Sequence, residues 1–71
     1  MGWIKSVIVS GDTAQGTAKY YKEGSFDSSE LPTIKKDDLV DGSVVFTSDN
    51  GNCYCYNEKQ DDFIFQLSLQ G

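Results

Sequence analysis

The sequence predicts an all-β fold, a small antiparallel meander of about five strands forming a sheet or a partly closed barrel. Three observations carry this expectation. Short runs rich in Val, Ile, Tyr, Phe and Trp recur between clusters of Gly, Asn, Asp and Ser. Asn50-Gly51 sits between two such runs, a strong short-range hairpin signal. No helix-length stretch carries apolar residues three and four apart. With 71 residues, the chain reads as one domain (1–71) without room for a second. A domain this size buries only about 60 % of the surface its unfolded chain exposes, so a staple or a partner is expected to help it.

Residues 3–10 (WIKSVIVS) are the first expected strand. Gly11-Asp12 breaks the run, Gly16 closes a polar connection, and 17–22 (TAKYYK) returns antiparallel, so 3–22 reads as an N-terminal hairpin. Residues 23–42 read as a long loop, because Gly24, Ser25, Asp27, Ser28, Ser29 and Pro32 are turn formers. Leu31, Ile34 and Leu39 are expected to pin this loop to the sheet, with a single helical turn around 35–39. The remainder, 43–69, reads as a three-stranded meander: 43–48 (SVVFTS), a turn at 49–52, 53–57 (CYCYN), a polar loop at 58–62, and 63–69 (FIFQLSL). A type I′ turn at Asn50-Gly51 requires positive φ at both residues.

That turn implies a register and hence two faces. With Asn50-Gly51 as the loop, Ser48 opposes Cys53, Thr47 opposes Tyr54, Phe46 opposes Cys55 and Val45 opposes Tyr56. One face carries Val44, Phe46, Cys53 and Cys55, and a five-residue 58–62 loop adds the Phe63, Phe65 and Leu67 stripe to it. This is the expected core. The opposite face, with Val45, Thr47, Tyr54, Tyr56, Ile64 and Gln66, is the expected interaction surface, since Tyr is enriched where proteins meet. The competing reading is that Trp3, Ile4 or the 23–42 loop covers these tyrosines. The uncharged 63–69 strand is expected to be an open edge that pairs with another chain, or else to close against the first strand.

Composition excludes several function classes. The chain has no His, the commonest general base and metal ligand, so no catalytic residue, no metal and no cofactor is expected, and the protein reads as no enzyme. Six Lys, no Arg and 11 acidic residues leave a net charge of −5, the wrong balance for nucleic acid. Lys19, Lys22, Lys35 and Lys36 beside Tyr20 and Tyr21 resemble a stacking platform, but the acids outnumber them. No apolar run approaches membrane-spanning length, and neither the basic nor the apolar region of a signal peptide is present, so no membrane and no secretion by signal peptide are expected. Ser6 completes a Met-Gly-x-x-x-Ser lipidation motif, in a segment that reads better as strand.

Cys53 and Cys55 are too few for a structural zinc site. Side chains two apart on a strand lie about 6.6 Å from each other, beyond disulfide reach, so both read as free, buried, small apolar groups. Asp37-Asp38 with Asp41, and Asp61-Asp62, match no calcium-loop spacing and read as solvated loop acids.

Residues 29–65 carry Pro32, Leu39, Asp41-Gly42-Ser43, Asp49-Asn50-Gly51, Tyr54, Tyr56 and Phe63 in that order. The segment resembles a recurrent stretch of small tailed-bacteriophage and prophage structural proteins, although that family usually has Trp at the place of Phe63 and no Cys beside the tyrosines. The resemblance implies a non-enzymatic virion structural or accessory protein. It would work by protein–protein contact with other phage structural proteins or by self-association, in the virion or the host cytoplasm. Two further readings come from the residues themselves. One is a small carbohydrate- or ligand-binding module with Trp3, Tyr54 and Tyr56 as stacking groups. The other is an acidic inhibitor of a host protein.

Overall fold

Five strands lie side by side in chain order: β1 (Gly2–Ser10), β2 (Lys19–Phe26), β3 (Val44–Thr47), β4 (Asn52–Asn57) and β5 (Asp62–Ser68). The computed structural model describes residues 2–69, so Met1 of the lipidation motif and the last two residues of the domain lie outside the described residues. The fold is all-β, and the sheet stays open, with β1 and β5 at its edges.

Three of the four strand pairs are antiparallel, but β2 and β3 run parallel, from Glu23↔Val44 to Phe26↔Thr47. Parallel neighbours cannot be joined by a tight turn and need a crossover of about a dozen residues or more. The segment read as a loop is that crossover. It begins later than expected, because β2 runs on through Gly24 to Phe26. A 3₁₀ helix, Ser28–Thr33, opens it. The Glu30 carboxylate accepts the Asp27 N–H at 2.8 Å, and the Asp49 carboxylate accepts the Ser28 N–H and hydroxyl at 3.0 and 2.6 Å. These caps place the helix earlier than the turn expected at 35–39, which lacks a comparable start. There the chain makes a single turn, Leu39 N–H donating to the Lys36 carbonyl at 3.2 Å, and rejoins β2. Tyr20 N–H donates to the Asp38 carbonyl (2.8 Å) and Val40 N–H to the Tyr20 carbonyl (3.0 Å).

The crossover covers one face of the sheet, and the core lies beneath it. Phe26, Leu39, Val45, Tyr56 and Phe63 are buried there, with Trp3, Leu31, Ile34 and Tyr54 packed around them. The face expected as core, with Val44, Phe46, Cys53 and Cys55, is therefore the uncovered one, although Phe63 is buried as expected; of the two register changes only the second exchanges faces. In the β3–β4 hairpin, Thr47 pairs with Asn52 and Val45 with Tyr54, a slip of two residues that keeps the faces as expected. In the β4–β5 hairpin, Asn57 pairs with Asp62 and Tyr56 with Phe63, so the loop is 58–61 and the slip is one residue. A one-residue slip exchanges the faces of a strand, and Phe63 and Phe65 join the tyrosines. A bulge then separates Tyr54↔Phe65 from Cys53↔Leu67, returning Leu67 to the cysteine side. The expected Phe63, Phe65 and Leu67 stripe is split.

The β3–β4 turn also differs from type I′. Positive φ falls on Gly51 (70°) but not on Asn50. The Thr47 carbonyl accepts both the Asn50 and Gly51 N–H groups, at 3.3 and 2.8 Å, and the Thr47 hydroxyl bonds the Asn50 side chain. The four-residue loop 48–51 thus closes on Thr47, which is fully buried.

Candidate functional site

Strand alternation leaves the second face of the sheet bare. Val44 and Phe46 point away from the crossover on β3, Cys53 and Cys55 on β4, and Ile64 and Leu67 on β5. Tyr21 and Val7 extend this face across β2 and β1. None of these eight residues is buried, and Val7, Phe46 and Leu67 are 46 %, 37 % and 49 % exposed. The middle of the face carries no charge. At its β1–β2 margin Lys5 stands directly across from Glu23.

Two groups of this face, Tyr21 and Cys53, are favoured in their neutral forms. Tyr21 donates its phenol hydrogen to Glu23 at 2.5 Å, and that bond, with lesser help from burial, raises the Tyr21 pKa. Burial pushes the Cys53 thiol up as well, so it stays protonated and weakly nucleophilic. Both cysteines are free.

The six residues expected to form an interaction surface do not share one. Val45 and Thr47 are fully buried and Tyr56 nearly so, because the crossover lies over them. Tyr54 is half-buried, edge-on to Phe65 at 5.8 Å. Ile64 belongs to the bare face, and Gln66 occupies the β5 bulge, its amide donating to the Ile64 carbonyl at 3.2 Å. The face that is exposed, around Phe46 and Leu67, is the one expected inside. A signal for it was present in the sequence: Leu31, Ile34 and Leu39 need a sheet face to sit on, and Val45 with the tyrosines supplies it.

Most of the acids expected to be solvated have partners. Asp38 pairs with Lys22 at 3.2 Å and Asp62 with Lys36 at 3.8 Å. Asp41 accepts the Glu58 N–H at 2.5 Å, and Asp61 accepts the Tyr56 hydroxyl at 2.8 Å. Among the described residues, no group of three or more His, Cys, Asp or Glu is placed to hold a metal ion, and no helix is long and apolar enough to cross a membrane.

On the covered side, a second feature stands at the start of β1. Trp3 lies across from Gly24, and a Cβ on Gly24 would come within 2.7 Å of Trp3 Cε3 and 2.8 Å of Phe26 Cε2. Glycine therefore lets both rings rest on the backbone, where they meet edge to face at 5.0 Å. Beside them an open cleft of about 370 Å³ runs to the crossover. It includes Trp3 but neither Tyr54 nor Tyr56, so the three aromatics expected as one stacking platform are split between separate places. No known protein family, curated protein or solved structure matches the chain.

Proposed function

We propose that this chain is a non-enzymatic structural or accessory protein of a tailed bacteriophage or prophage, which works by protein–protein contact through the bare face of its sheet. The observation that carries the contact is the uncharged centre of that face, Val44, Phe46, Cys53, Cys55, Ile64 and Leu67. A domain is ordinarily two packed layers around a core. Here the crossover supplies a partial second layer on one side, and among the described residues nothing supplies one on the other. The resemblance of residues 29–65 to phage structural segments supports the setting. The absence of His and Arg supports the non-enzymatic reading.

The occupant of the face is a second copy of the chain. Net charge is −5 per chain, but the partnered acids Asp38, Asp41, Asp49 and Asp61 sit in the crossover and turns, so two bare faces approach without strong repulsion. The Lys5–Glu23 pair gives the margin one charge of each sign. Across a two-fold axis, Lys5 of one copy meets Glu23 of the other, as a self-complementary interface requires. Sheets packed this way lie about 10 Å apart and make a sandwich.

Sedimentation velocity across a concentration series tests the interface. The native chain is expected to dimerise, and Phe46→Lys with Leu67→Lys to stay monomeric with unchanged circular dichroism. A native chain that stays monomeric at high concentration overturns it. The phage setting is tested separately, by following the chain through gradient purification of induced particles. Failure to travel with any particle overturns that part.

A further inference from the structure

We propose that the cleft beside Trp3 is a binding site for a neutral saccharide. The proposal is independent of the bare sheet face, which lies on the other side of the molecule.

The cleft has an apolar wall and a polar rim. Trp3, Phe26 and Ile34 form the wall, and Lys22, Glu30, Thr33, Lys35, Asp37 and Asp38 provide the polar groups. Its volume, about 370 Å³, falls in the range of small-molecule sites. The wall is preorganised, because Gly24 seats both rings and Phe26 is itself part of the core. Part of the rim is uncommitted. Neither Lys35 nor the Asp37 carboxylate takes part in an ion pair among the described residues, and both residues are exposed.

The charges select the ligand class. A cation would seek the face of Trp3, but a cation is already there: Lys22 Nζ lies 5.5 Å from the Trp3 ring and 5.2 Å from the Tyr20 ring, held by Asp38 at 3.2 Å. An anion would meet three carboxylates against two ammonium groups. A purely apolar ligand would strip water from the rim without replacing its hydrogen bonds. A sugar ring fits these groups together: its C–H groups pack on the parts of Trp3 and Ile34 that line the cleft beside the Lys22 ammonium, and its hydroxyls donate to Asp37 while accepting from Lys35. Hydrogen bonds to charged groups are the stronger kind, which gives a small open site its hold on a neutral ligand.

Trp3 is the sole tryptophan, so its fluorescence reports the cleft directly. The native chain is titrated with cellobiose, lactose and N,N′-diacetylchitobiose, and in parallel with lysine methyl ester as a cationic probe. At least one disaccharide is expected to give a saturable change. Asp37→Ala and Lys35→Met, both at exposed positions, are expected to weaken it about fivefold or more each while melting temperature holds. No saturable change with any disaccharide up to its solubility limit overturns the proposal. So does sugar binding by both variants as tight as that of the native chain, or saturation by lysine methyl ester alone.

Discussion

Tyr56 and Asp61 hold the β4–β5 hairpin closed: the phenol donates to the carboxylate at 2.8 Å, across a loop in which Asp61 itself adopts a positive φ of 50°. The ring of Tyr56 is core and its hydroxyl reaches the loop, so one side chain ties the packing of the sheet to the conformation of its last turn.

That pair makes stability fall in alkali. Burial, then the bond to Asp61, push the Tyr56 pKa from 10.0 up to about 12. The neutral phenol is thus favoured in the folded state, and its contribution is whole below pH 10 and lost as pH rises through about 12. Urea midpoints measured across this window are expected to fall, and Tyr56→Phe to flatten the fall. The variant should lose about 1–2 kcal/mol at neutral pH, because Asp61 loses its donor.

Gly24→Ala is expected to destabilise by about 1–3 kcal/mol, as overpacking does. The new methyl would stand 2.7 Å from Trp3, 2.8 Å from Phe26 and 2.9 Å from the Gly2 carbonyl, and the last is backbone. Trp3 should be levered outward, which a red shift of its emission would register.

Leu39→Ala should cost about 2–4 kcal/mol in chemical denaturation, since Leu39 is 1 % exposed and is the crossover's deepest apolar anchor. Ile4→Ala, at a residue 77 % exposed, should change stability by less than about 0.5 kcal/mol. Equal effects would contradict the placement of the core under the crossover.

At the other end of the pH scale, the Ser28 hydroxyl and then its N–H hold the Asp49 carboxyl below its ordinary 3.8. Its contribution is present above that value and fades as pH falls through the lowered one. A carboxyl titration followed by NMR should find the low midpoint in the native chain and restore it toward 3.8 in Ser28→Ala.

Much of this fold is legible in the residues. WIKSVIVS, CYCYN and all of FIFQLSL but its last leucine fall within strands, and the turn lies where Asn50-Gly51 stands. What misleads most is one loop boundary. Asp62 reads as loop because it is an acid in a run of polar residues, yet it is the first residue of β5, and that one position moves Phe63 and Phe65 to the face of the tyrosines, where Phe63 is buried and Phe65 is exposed. Gly24 misleads in the same way: it reads as a strand breaker, and it sits in β2 because two aromatic rings need its missing side chain. The cleft was beyond reach. Trp3 is conspicuous, but most of its neighbours there come from the crossover, whose path depends on the parallel pairing of β2 with β3.

That parallel pairing sets an order of assembly. β1 with β2, and β3 with β4 and β5, are each made of chain neighbours whose ends meet early. The seam between them joins Glu23 to Val44 and Phe26 to Thr47, partners 21 residues apart, and it cannot close until the crossover has been laid down. The protein is thus two ribbons fastened by one late seam, with Leu39 as its additional clasp at Tyr20. Amide exchange should find the seam opening before either ribbon frays through its centre. When it opens, the edges of β2 and β3 are released together, and a neighbouring chain that supplies the missing half can exchange ribbons without breaking a single hairpin.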